Sequence, residues 1–179
     1  MPLVRTAKVL LQASRRPRLT GSEESVITLR VWPGDLDMNL HMNNGRYLTL
    51  MDLGRLDHFV RTGGAALARR RKWFALVGAS TIRYRRSLQP FERFRLRTRL
   101  VGWDEKWFYM EQRFETMDGT VAAVGLVKAL LRGGRGNVPT AEVMRGLGVG
   151  TVSPPLPEHV ARWAETATDL ALAARAPAP

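Results

Sequence analysis

Cysteine is absent from this 179-residue chain. Disulfides, thiolate nucleophiles and thiolate-bound metals are therefore excluded, and a reducing cytoplasm is the expected compartment. Long hydrophobic runs are missing too. No stretch approaches the roughly 18–20 apolar residues that a membrane span needs, so a soluble or at most membrane-peripheral protein is expected. Acid is scarce: 28 Lys+Arg against 16 Asp+Glu leave a net charge of +12, almost all of it from arginine. Such a surface attracts polyanions, whether nucleic acid, anionic lipid or a phosphorylated cofactor, without choosing among them. Several catalytic signatures are also lacking. There is no Gly-x-Ser-x-Gly elbow, and Gly133-Gly134-Arg135-Gly136 lacks the lysine-serine ending of a phosphate loop. The three histidines, His41, His58 and His159, have no His-x-x-x-His partner, so no metal is expected. Asp35, Asp37 and Asn39 are spaced like the opening of a calcium loop, but its later glycine and glutamate are missing.

What is present suits one globular domain: 45% of the residues are apolar and 25% charged. Residues 1–20 hold Arg5, Lys8, Arg15, Arg16 and Arg18, and no acid precedes Glu23. Wound as a helix, Leu3, Ala7, Leu10, Leu11 and Ser14 share one face and Arg5, Lys8, Gln12, Arg15 and Arg16 the other, with Pro17 ending the pattern. Three readings compete for this segment: a helix docked on the domain, a helix lying on a membrane surface, or a cleaved targeting segment. Residues 21–150 are expected to form the main domain, and residues 151–179 a linker and a C-terminal helix.

Within the main domain, residues 25–32 alternate as a strand, ended by Pro33-Gly34. A polar loop follows, with Asn43 or Asn44 as the N-cap of a helix running to Thr62 and closed by Gly63-Gly64. The apolar residues of that helix spread wider than one stripe, so it should be largely buried, and Gly54 in its middle implies close packing. After a basic linker at residues 69–72 the chain turns β-rich: residues 74–86, the strictly alternating residues 93–100, then residues 107–116 and 120–131. Gln89-Pro90-Phe91-Glu92, Asp104-Glu105 and Asp118-Gly119 supply the turns, and residues 139–147 a short helix. The order is strand, long buried helix, then four strands expected as an antiparallel meander. One sheet curling around one helix, an α+β class, is the economical arrangement.

The densest polar constellation is Trp32-Pro-Gly-Asp-Leu-Asp-Met-Asn-Leu-His-Met-Asn-Asn-Gly-Arg-Tyr47, between a strand and the buried helix. A carboxylate pinned there can serve as general base or nucleophile, and the helix N-terminus downstream offers N–H groups to an oxyanion or phosphate. The same residues can equally be an Asx-turn loop that caps the helix.

The run Asp35-x-Asp37-x-x-x-His41-x-Asn43-Asn44-x-x-Tyr47, followed by Asp52 and Arg55, resembles the signature of hotdog-fold acyl-CoA thioesterases, in particular the 4-hydroxybenzoyl-CoA thioesterase-like branch and a thioesterase-superfamily subgroup within it. The resemblance covers about residues 25–131. It implies an antiparallel sheet of about five to six strands wrapped around a long central helix, with the two terminal helices flanking it. It implies hydrolysis of an acyl-CoA to a free acid and CoA, with Asp37 as general base or nucleophile and Asp35 shaping the loop. His41 and Asn43 would orient the loop or contact the thioester. Asn44 and Tyr47 would meet the substrate, Tyr47 either lining the acyl pocket or serving as a buried structural tyrosine. Two positions depart from the family pattern: Leu40 stands where glycine precedes the histidine, and residues 73–76, where a backbone N–H would hold the oxyanion, contain no glycine. The resemblance also implies a homodimer or homotetramer with the active site at the subunit interface, and no metal or redox cofactor.

The basic surface then has a use. Residues 61–113 hold 14 basic residues against 4 acids, and CoA phosphates suit arginine forks. Arg83, Arg85, Arg86 and the row from Arg93 to Arg99 are candidates, the plain alternative being a solvated, salt-bridged sheet face. Two rival classes stand beside the hydrolase. Arg83-Tyr84-Arg85-Arg86 and residues 103–109 mix basic and aromatic residues as single-strand binders do, but aromatics at strand spacing read as core, so nucleic acid is not expected. The other rival is a non-catalytic hotdog protein that binds acyl-CoA, acyl-carrier protein or lipid at a membrane surface.

Overall fold

Strand pairing decides the architecture, and it differs from a simple meander. The computed structural model describes residues 2–20 and 23–173. Helix α1 (Pro2–Arg15) leads to β1 (Ser25–Arg30), a single 3₁₀ turn (Pro33–Asp35), α2 (Asn44–Arg61) and α3 (Gly64–Arg71). Then come β2 (Phe74–Tyr84), β3 (Arg93–Trp103), β4 (Phe108–Thr116), β5 (Val121–Gly133), the two-residue β6 (Gly136–Asn137), α4 (Thr140–Gly146) and α5 (Glu158–Ala173). The sheet order is β1-β3-β4-β5-β2, antiparallel throughout, with β6 on the end of β5. Only β3, β4 and β5 form the expected meander. The α2–α3 pair carries the chain across the sheet, so β2 lands on the far edge beside β5 rather than next to β3. The basic residues 69–72 are likewise no linker: Arg69, Arg70 and Arg71 are the last turn of α3, where cations suit the helix C-terminus.

Helix α2 packs along the inner face of this curled sheet, as the hotdog resemblance implied. Tyr47, Leu50, Met51 and Leu53 bury against Phe94, Leu96, Phe114, Ala123 and Val127. Gly54 shows why the helix can come so close. A Cβ there would run into the Thr98 hydroxyl and stand 2.7 Å from Gln112 Nε2. Gln112, fully buried, donates to the Met51 carbonyl and to Thr98 Oγ1, both at 2.9 Å, so the contact between helix and sheet is polar at its centre and has no slack. Gly63, at φ +84°, closes α2 in the left-handed conformation that glycine adopts at no cost. On the outer face α5 covers the meander, with Val160 and Ala164 buried against Val101, Tyr109 and Leu126.

Helix α1 docks beside α2 and β1, but not by its leucine face. Val9 and Ala13 are the residues it buries. Arg16 donates to the Val26 carbonyl at 3.0 Å and lies 3.7 Å from Asp57, a buried α2 carboxylate that accepts the Ser25 hydroxyl at 2.6 Å. Leu3, Ala7, Leu10, Leu11 and Ser14 face solvent. Among the described residues no helix is long and apolar enough to cross a membrane.

Gly54→Ala is expected to destabilise the fold by roughly 1–3 kcal/mol, the overpacking cost outweighing the helix propensity of alanine. Urea unfolding of the two proteins checks this; equal midpoints would mean that α2 has room to move away from the sheet.

Candidate functional site

The loop between β1 and α2 is built around one buried carboxylate. Asp35, 2% exposed, accepts two hydrogen bonds from Arg5 (3.0 and 2.6 Å), two from Arg46 (3.1 and 2.9 Å) and the Trp32 N–H (2.9 Å). Burial alone would raise its pKa, but these donors win and hold the carboxyl below the ordinary aspartate value. Asp35 is thus spent on structure, as the resemblance implied, and its clamp joins α1, the loop and the first turn of α2.

Asp37 stands two residues on, in a tight turn closed by its own N–H to the His41 carbonyl at 2.9 Å. Its Oδ1 accepts the Asn39 and His41 N–H groups at 2.9 and 3.3 Å. Oδ2 has no hydrogen-bond partner among the described residues, and the side chain is half-buried. Leu40 occupies φ +57° within this turn. That is the left-handed region where a side chain costs about 1–2 kcal/mol, which gives the family's glycine at this position a physical reason. Asn43 is the N-cap of α2, its side chain accepting the Gly45 N–H at 2.9 Å. Asn44 is exposed, and its carbonyl accepts the Tyr84 hydroxyl at 2.9 Å. His41 is half-buried, without a side-chain hydrogen bond among the described residues. Tyr47 is 1% exposed, its hydroxyl accepts the Leu88 N–H at 3.3 Å, and its ring packs against Tyr84 and Phe114. Within one chain that is the place of a buried structural tyrosine.

The arginines divide. Arg97 pairs with Glu24 and Glu115, and Arg99 with Glu111, so that part of the strand row is neutralised by its own chain. Arg86 pairs with Glu92 at 2.7 Å. Arg83 and Arg85 are exposed, with no ion pair among the described residues. Tyr84 reaches the α2 N-terminus, so Arg83 beside it points to the other face of the sheet.

Sequence reasoning missed the apolar space farther along α2. A cavity of about 290 Å³ lies between the C-terminal half of α2, the inner face of the sheet and α4, lined by Leu56, Phe59, Leu76, Leu130 and Met144 among others. A groove of about 270 Å³ continues it along Leu48, Thr49 and Ser80, and Asp52, Arg55 and Val77 line both. Arg55 donates to Gln112 Oε1 at 2.8 Å and pairs with Asp52, which is 68% exposed. Asp37 lines neither space. It precedes the opposite end of α2, whose first residue, Asn44, is about 12 Å by helix rise from Asp52, the nearest cavity-lining residue of the helix. The segment expected to hold an oxyanion, residues 73–76, is at the cavity end as well, so one chain does not bring it to Asp37. Among the described residues no group of His, Asp and Glu side chains could hold a metal ion.

Comparison with known proteins agrees with this architecture. The profile of the thioesterase-like superfamily matches residues 31–164. Protein THEM6 of Danio rerio is 49% identical over 117 residues, 64% of this chain and 58% of its own length. Protein THEM6 of Xenopus laevis is 38% identical over 162 residues, 89% of this chain and 77% of its own length. Among solved structures, the DHNA-CoA thioesterase of Staphylococcus aureus superposes with a TM-score of 0.60 at 15% identity, covering 66% of this chain and 82% of that one.

One group lining the cavity titrates abnormally. His58 is buried with Nε2 lacking a hydrogen-bond partner among the described residues, and burial lowers its pKa to about 4 despite the opposing pull of Asp57. An unfolded chain protonates this histidine near pH 6.5 and the folded one only near pH 4, so stability is full above about pH 6.5 and falls between the two by about 3 kcal/mol. In His58→Leu the decline over that window should flatten. Urea titrations at pH 7.5, 6 and 4.5 (about these values) check it, and an unchanged slope would show that another group is responsible.

Proposed function

The chain belongs to the thioesterase-like superfamily, and from that premise we propose that it hydrolyses an acyl thioester, with acyl-CoA as the substrate. The observation that carries the reading is the posture of Asp37: one oxygen fixed by two backbone N–H groups, the other without a hydrogen-bond partner among the described residues, on a half-buried side chain. As general base, Asp37 takes a proton from water while the water oxygen bonds to the thioester carbonyl carbon. The carbonyl oxygen becomes an oxyanion held by backbone N–H donors. The C–S bond then breaks, and the departing thiolate takes the proton back from the Asp37 carboxyl. As nucleophile, Asp37 would instead form a mixed anhydride with release of thiolate, and water would open it. Either route uses the protein's own carboxylate and needs no cofactor. His41 and Asn43 keep the loop in shape, and exposed Arg83 and Arg85 can meet the CoA phosphates.

The site is completed by a second copy of the chain. β2 is an edge strand whose outer hydrogen-bonding groups are unpaired by the described residues, and Phe74 and Val77 on it are exposed. A two-fold axis at the middle of β2 sets residues 74–77 of one copy opposite residues 81–84 of the other, antiparallel. The apolar cavity of one copy then approaches the Asp37 loop of its partner, which one chain alone keeps apart. A second reading gives the base role to Asp52, favoured by its place between cavity and groove.

Free-thiol release from short, long and aromatic acyl-CoAs tests both. Asp37→Asn is expected to lose at least about a hundredfold in turnover with folding retained, while Asp52→Asn keeps most of it; the reverse pattern assigns the base to Asp52. No release by the folded wild type would leave a binding protein. Val77→Lys, which places a charge on the β2 edge, is expected to shift sedimentation toward a monomer and abolish turnover together. Full turnover by a monomeric variant would refute the shared site.

A further inference from the structure

An amphipathic helix ordinarily buries its apolar stripe, and α1 turns its stripe outward. Leu3, Ala7, Leu10 and Leu11 recur at helical spacing on the side away from Val9 and Ala13. With Val4 they form one arc, in which Leu3 is 84% and Val4 73% exposed. Lys8 and Arg15 run along one border of the arc, neither with an ion pair among the described residues. Beyond Lys8 the helix forms one wall of a cleft of about 460 Å³ whose other wall is β1, with Arg30, Arg93 and Trp32 on its lining. Trp32 is exposed and makes an edge contact with exposed Phe91 at 6.3 Å. Carboxylates near this surface are already engaged: Asp35 by Arg5 and Arg46, Glu92 by Arg86. Residues 1–22 contain no acid.

We propose that this face seats the protein on an anionic bilayer: the leucine arc enters the boundary between headgroups and acyl chains, and the cationic cleft takes a lipid phosphate. The pairing of a leucine arc with a cationic border is what an interfacial helix requires. Nucleic acid would use the cations and leave the leucines without a role. A second copy packing arc to arc would bring Lys8 and Arg15 of both copies together, which like charge opposes. The inference does not rest on the reading of the reaction, since lipid binding is measured apart from turnover.

The test is co-sedimentation of the full chain with vesicles of phosphatidylcholine alone and with about a third phosphatidylglycerol. Binding is expected on the anionic vesicles only, and it should fall in about 0.5 M salt. Leu10→Ser/Leu11→Ser should weaken it about tenfold, as should Lys8→Glu/Arg15→Glu. Val152→Ser, which removes an exposed apolar side chain outside this face, should leave it unchanged. Equal binding to both vesicle types, or undiminished binding by either double variant, overturns the proposal. So does a smaller assembly of Leu10→Ser/Leu11→Ser in vesicle-free sedimentation, which would make the arc a contact between copies.

Discussion

A carboxylate with almost no solvent around it has to be neutralised in place, and Asp35 is neutralised by two arginines that come from different parts of the chain. Losing either partner would leave a buried, half-compensated charge, an arrangement that costs several kcal/mol. The site loop therefore has one conformation only while α1 is docked and the first turn of α2 is formed. Asp37 inherits its direction from that clamp, through the Asn43 N–H to the Asp35 carbonyl at 2.8 Å and the closed turn back to His41. The loop is held by something stiffer than itself.

The same logic operates in the middle of α2. Removing the side chain at position 54 lets the helix descend onto Thr98 and Gln112, and Gln112 then bonds to the helix backbone and to Arg55. Arg55 in turn holds Asp52 at the edge of the groove. Polar groups buried this deep are expensive unless every donor and acceptor is used. Here their use fixes the depth of the helix, and so the width of the apolar space between α2 and the sheet farther along.

Much of this could be read from the chain. The alternation in residues 93–100 gave β3 with its buried face, the Asn43-Asn44 pair gave the cap of α2, which is Asn43, and Gly54 gave the close approach. These signals are local, and each rests on a period or a turn preference. The Asp-x-Asp spacing and the following asparagines carried the family resemblance, and Asp35 and Asp37 prove to be held quite differently. What escaped was non-local. Nothing between positions 5 and 35 announces that their side chains meet, and β2 could be recognised as a strand without any sign that it pairs with β5. The face by which α1 docks escaped for a related reason. Apolar periodicity names the greasy side of a helix, but two arginines in hydrogen bonds and the small residues Val9 and Ala13 decided which side met the domain.

The charge excess follows from this division. Arg5, Arg46, Arg55, Arg61, Arg97 and Arg99 are matched to carboxylates of their own chain and add little to the external field. Among the described residues, cations without an ion pair include Lys8, Arg15, Arg30 and Arg93 around α1 and β1, and Arg83 and Arg85 at the end of β2. These lie at opposite edges of the sheet, since β1 and β2 are its two ends. One edge is open for pairing with another copy, and the other is covered by a helix with its leucines outward. Two anionic partners can therefore be met without competing for the same arginines.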